Sequence, residues 1–84
     1  MNDNLEKMNI EIAKYLLKAL ARTMQQYKRN PSVGLAYDIG RRQTGLNLFP
    51  LYNNVPVEIM LKITIMNRAV DRFVYKFVDK SFAI

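Results

Sequence analysis

The stretch NLEKMNIEIAKYLLKALARTMQQYKR, residues 4–29, contains no glycine or proline. Its apolar residues recur every three or four positions, which is the period of an α-helix that is buried along one side. Lys28 and Arg29 would stand in the last turn, where positive charge interacts favourably with the helix dipole. Asn30-Pro31 ends the pattern, because a residue before proline is disfavoured in the α conformation. We therefore predict a helix over about residues 4–29.

The apolar positions of this helix form two adjacent seams. The first seam contains Leu5, Met8, Ile12, Tyr15 and Ala19. The second seam contains Ile10, Ala13, Leu17, Leu20, Met24 and Tyr27. A helix that packs on one neighbour needs only about a 100° apolar stripe, and the two seams together are wider. We therefore predict that the helix also contacts a second copy of the chain, through Ile10, Leu17, Leu20 and Met24.

Residues 30–54 contain all three glycines and two of the three prolines. This composition predicts an ordered but irregular crossover. Apolar residues alternate over 33–39, so this segment can form a short strand that pairs with 46–48 in a β-hairpin. A short helix over 32–39 is the alternative. A two-stranded hairpin needs support from the helices, because alone it is marginally stable.

Residues 55–80 carry two periodicities at once. Alternating apolar residues over 57–65 are compatible with a strand, whereas helical spacing continues through the whole stretch at Ile59, Ile63, Met66, Val70, Phe73 and Phe77. No turn residues separate the two halves, so we favour one helix over about 55–80. The fold class that follows is mostly α, a single small domain over residues 1–84. Its two long helices would pack antiparallel, joined by the Gly/Pro-containing crossover, and the chain would form an oligomer.

The residue types present argue against an enzyme. The chain has no histidine and no cysteine, which removes the commonest general base, the thiolate nucleophile and the commonest zinc ligands. The carboxylates are scattered, so we expect no metal site and no cofactor. No apolar run approaches the roughly 20 residues of a membrane span, and the N-terminus does not resemble a secretion signal. We therefore expect a cytoplasmic protein.

The charge balance favours an anionic partner, with 13 Lys and Arg against 7 Asp and Glu and a net charge of +6. Lys14, Lys18 and Arg22 repeat every four residues and form a basic stripe on the first helix. Arg41 and Arg42 lie between two glycines, where a turn could present guanidinium groups and backbone N–H groups to a phosphate. A solvated turn is the alternative. The predicted anion-binding residues are Lys14, Lys18, Arg22, Arg29, Arg41 and Arg42.

Three function classes fit these features. We favour a small basic protein that binds the phosphate backbone of nucleic acid without reading its sequence. The first alternative is a protein-binding effector, such as a small phage or plasmid product that inhibits a host complex. The second alternative is a self-assembling structural subunit.

Overall fold

The computed structural model describes residues 3–75, and within them the chain is almost entirely helical. The helices are α1 (Asp3–Arg29), α2 (Val33–Tyr52) and α3 (Val57–Val70), and a π-helical segment, Asp71–Tyr75, continues α3. No strand occurs in this part of the chain. The predicted mostly helical fold class is therefore confirmed.

Helix α1 extends one residue further at its N-terminus than the predicted helix over 4–29 and ends at the same residue. The N–H of Asn30 donates to the carbonyl of Gln26 at 3.0 Å and completes the last turn. Pro31 follows directly, and it excludes its predecessor from the helix.

Residues 33–52 form α2, so the predicted β-hairpin and irregular crossover are wrong. Ser32 begins the helix, because its backbone is extended and its Oγ accepts a hydrogen bond from the N–H of Leu35 at 3.1 Å. Ile39 and Leu46 are seven residues apart and lie on the same face of α2. Both side chains are fully buried. Each glycine makes a helix about 1 kcal/mol less favourable than alanine would, and burial of this apolar face outweighs that cost.

Pro50 lies in the last turn of α2. It has no N–H, so the carbonyl of Leu46 loses its helical donor at this point. Asn53 follows the helix in an extended conformation, and its Nδ2 donates to the carbonyl of Phe49 at 3.1 Å. This side-chain contact satisfies one of the last carbonyls, and α2 ends here.

The helical interpretation of residues 57–65 is confirmed by α3. Pro56 precedes the helix, and its carbonyl accepts hydrogen bonds from the N–H groups of Ile59 and Met60 at 3.0 and 3.1 Å. Ile59, Ile63 and Val70 are its buried positions. Residues 76–80 of the predicted helix, including Phe77, lie outside the described residues.

The three helices run up, down and up. Asn9 Nδ2 donates to the carbonyl of Asn54 at 3.0 Å, and Lys28 Nζ lies 4.2 Å above the ring centre of Phe73. The residue numbers of both partners increase together from the first contact to the second, by 19 in each case. Helices α1 and α3 therefore run parallel. The predicted antiparallel packing of the first and last helices is therefore wrong. Helix α2 is the antiparallel neighbour of both, since short connections place consecutive helices side by side.

One apolar core joins the three helices. Its members are Ala13, Leu20, Met24, Tyr27, Ile39, Leu46, Ile59, Ile63, Val70 and Val74. Asn67 links α3 to α2, because its Oδ1 accepts from Gln43 Nε2 at 2.9 Å and its Nδ2 donates to Asn47 Oδ1 at 2.7 Å. Among residues 3–75, none of the helices combines the length and apolarity that spanning a membrane would require.

Candidate nucleic-acid interface

A groove of about 300 Å³ lies between α1 and α2. Its lining residues are Tyr15, Lys18, Ala19, Arg22, Thr23, Gln26 and Arg42. The α1 members are three or four positions apart, so the helix brings them to one face. The small side chains of Ala19 and Thr23 leave space between the longer ones. The Thr23 hydroxyl is already engaged, because it donates to the carbonyl of Ala19 at 2.9 Å.

A second concavity continues this groove along the same two helices. The two share Ala19 and Arg42, and the second adds Leu16, Asp38, Arg41 and Gly45. We call the combined feature the basic groove, defined by its four cations Lys18, Arg22, Arg41 and Arg42. Asp38 is the acidic residue of its lining. Cations from two helices therefore face one concave surface.

The structure places the six predicted anion-binding residues in two groups. The four cations of the basic groove come together, whereas Lys14 and Arg29 lie outside its lining. Lys14 Nζ is 3.9 Å from Glu11 Oε1 on the same helix. This exposed ion pair partly neutralises the Lys14 charge but contributes little to stability. Arg29 is exposed at the end of α1.

Arg41 and Arg42 lie within α2 and not in a glycine-bounded turn. Their backbone N–H groups are in a helix interior, where such groups donate to the carbonyl four residues earlier. The predicted role of those N–H groups in holding a phosphate is therefore wrong. The two side chains are exposed, and a guanidinium presents donors in a fork that matches a phosphate.

Two uncharged residues, Tyr15 and Gln26, also line the groove and are not among the predicted anion-binding residues. The apolar pattern places Tyr15 in the first seam, although Tyr15 also stands three residues before Lys18. Gln26 stands four residues after Arg22, which is the next position on the same face. The signal was therefore the helical spacing already used for the cations, applied to uncharged residues as well.

The two seams of α1 have different environments. In the second seam Leu20 is fully buried and Met24 is 6% exposed in the core of the single chain, and Ile10 and Leu17 pack against that core half-buried. These four residues therefore hold α1 against its own chain. In the first seam Leu5, Met8, Ile12 and Tyr15 are 40–67% exposed. The apolar surface that remains open on α1 is the first seam.

Two further observations concern the ionisation of Tyr27 and the possible metal ligands. Burial raises the pKa of the Tyr27 hydroxyl, because removal from water disfavours the charged phenolate. Across residues 3–75, no three Asp, Glu, His or Cys side chains come together in a group that could hold a metal ion.

Comparison with known proteins gives no match to a family model, to a curated protein or to a solved structure. The basic groove and the apolar surface beside it are therefore the features that bear on function.

Proposed function

We propose that this chain is a small, non-enzymatic cytoplasmic protein that binds the phosphate backbone of nucleic acid at the basic groove. The observation that carries the proposal is the convergence of Lys18, Arg22, Arg41 and Arg42 on one groove between two helices. Cations that neutralise phosphates release condensed counterions, and this release supplies most of the affinity in sequence-independent binding.

The side chains of the groove suit phosphate better than base edges. Lys18 and Arg22 are one helical turn apart, about 6 Å at 1.5 Å per residue, which is close to the rise of two nucleotides along one strand. The arginines can each form two parallel hydrogen bonds to a phosphate. Asp38 is the single carboxylate of the lining, and it reduces the positive potential without reversing it. We therefore expect binding of moderate strength with little sequence preference.

The direct test is the salt dependence of binding by the unmodified chain. Fluorescence anisotropy with a labelled oligonucleotide, from low to physiological salt, gives the slope of log affinity against log salt concentration. Four phosphate contacts predict a slope of about −3.6 on duplex DNA and about −2.8 on a single strand. Absence of binding to either at low salt would refute the proposal, because electrostatic attraction is strongest there.

A second role, in protein binding, is favoured by the first seam. Soluble monomers rarely leave a continuous apolar helix face open, and such a face marks a contact with another protein. The occupant we propose is a second copy of the chain. The seam residues Leu5, Met8 and Ile12 lie within residues 4–13, where Glu6, Lys7 and Glu11 nearly balance in charge. Two copies can therefore approach there without the repulsion that the five cations of residues 14–29 would cause.

Self-association and nucleic-acid binding are compatible in this chain. The first seam and the basic groove share Tyr15 and Ala19, so we assign the contact with a second copy to Leu5, Met8 and Ile12, in the N-terminal half of α1. A dimer of this kind would present two basic grooves. If the first seam instead receives a host protein, the wild-type chain alone would be a monomer.

A further inference from the structure

Tyr15 is the aromatic residue of the basic groove. It lines the same concavity as Lys18, Arg22 and Arg42, and it is 67% exposed. It lies outside the buried core, so folding of the single chain gains little from its ring. An open aromatic ring surrounded by cations is the arrangement with which proteins hold unpaired bases.

We propose that the basic groove binds single-stranded nucleic acid in preference to a duplex, with a base stacked on the Tyr15 ring. This inference rests on the proposed function and specifies its ligand. The phosphates on either side of the stacked base would lie against Lys18, Arg22 and Arg42. Every base has a flat aromatic face, so stacking adds affinity without requiring a particular sequence.

The shape of the groove supports the same ligand. A volume of about 300 Å³ is at the lower end of the cavities that hold a small molecule, so it suits a base or a nucleotide. In a duplex the faces of the bases are covered by their neighbours, and Tyr15 could not reach them. Gln26 lies in the same lining, and its amide offers both a donor and an acceptor to a base edge.

The test compares two labelled probes by fluorescence anisotropy at low salt, a thymidine oligonucleotide of about 20 residues and a duplex of equal length. Wild-type chain should bind the single strand more tightly. Tyr15→Leu removes the aromatic face and should weaken single-strand binding by about 5-fold to 150-fold, from the energy of stacking one base. Duplex binding should not change. Tyr15→Phe keeps the ring and should bind like wild type.

Tyr52→Leu is the matched control. Tyr52 is 80% exposed, and it is the last residue of α2, where it lines a separate cavity with Leu5 and Asn54. Its replacement should leave the affinity for both probes unchanged.

The outcomes separate this inference from the proposed function. If Tyr15→Leu binds the single strand as wild type does, while Lys18→Gln with Arg22→Gln weakens binding, the stacking role is refuted and phosphate binding stands. Equal weakening of both probes by Tyr15→Leu would also refute it, since the ring would then act on the fold or on self-association. If wild type binds neither probe, the proposed function fails first.

Discussion

Substitution of Gly45 by alanine should stabilise the protein. Gly45 is an exposed residue in the interior of α2, and a Cβ built there meets nothing within 4 Å. No glycine among the described residues has a positive φ, so an alanine fits the backbone without strain. Replacing glycine by alanine in a helix interior gains about 0.5–1 kcal/mol. For a domain of this size, that raises the melting temperature by roughly 2–8 °C.

Urea denaturation followed by circular dichroism measures this gain, and a thermal melt gives the second value. Gly34→Ala is the matched control, because Gly34 lies in the first turn of α2 and its Cβ would touch only Ser32 Oγ, at 4.0 Å. We expect a smaller gain there. A loss of stability in Gly45→Ala would refute the helical account of 33–52, since a hairpin turn that holds glycine at positive φ is destabilised by alanine.

Two further predictions concern the core and the first seam. Burial raises the pKa of the Tyr27 hydroxyl above its ordinary value of 10.0. When the pH exceeds that ordinary value, the unfolded chain binds fewer protons than the folded chain. The free energy of unfolding therefore falls as pH rises. Tyr27→Phe should remove that part of the fall in urea titrations between about pH 9 and pH 11, and an identical pH dependence in both chains would contradict this. In sedimentation at micromolar concentration, wild type should be a dimer and Ile12→Glu a folded monomer, whereas Leu20→Glu should unfold the chain because Leu20 is fully buried. A folded wild-type monomer would argue against self-association through the first seam.

The sequence predicts α1 well because its signals agree. A long segment without glycine or proline, one period and a proline stop all indicate the same helix. At α2 the signals conflict, since Gly34, Gly40 and Gly45 weigh against a helix while Ser32 supplies a cap. Leu35, Ile39, Leu46 and Phe49 follow the helical period, but the alternation over 33–39 fits a strand equally. Packing against α1 and α3 favours the helix, and the local sequence contains no information about that packing.

The basic groove, like the fold, is predictable from the sequence only in part. Helical spacing alone places Lys18 and Arg22 on one face of α1. Arg41 and Arg42 join them only because α2 packs antiparallel to α1, which the sequence analysis did not predict. The two seams of α1 are similar in composition, and which one turns inward depends on the positions of α2 and α3. For this reason the sequence predicts Leu20 and Met24 at a contact between chains, whereas the structure buries both in the core of one chain.

The central claim is that binding depends on the basic groove and not on net charge. The salt dependence of affinity should therefore be compared among wild type, Lys18→Gln with Arg22→Gln, and a control pair, Lys62→Gln with Arg68→Gln. The control removes the same charge from exposed positions of α3, away from the basic groove. We predict that Lys18→Gln with Arg22→Gln lowers affinity for every nucleic-acid sequence alike. The loss of two phosphate contacts should reduce the slope of log affinity against log salt concentration by roughly 1.4 to 1.8. The control pair should leave that slope unchanged. Equal losses in the two pairs would contradict the account, because binding would then follow total charge.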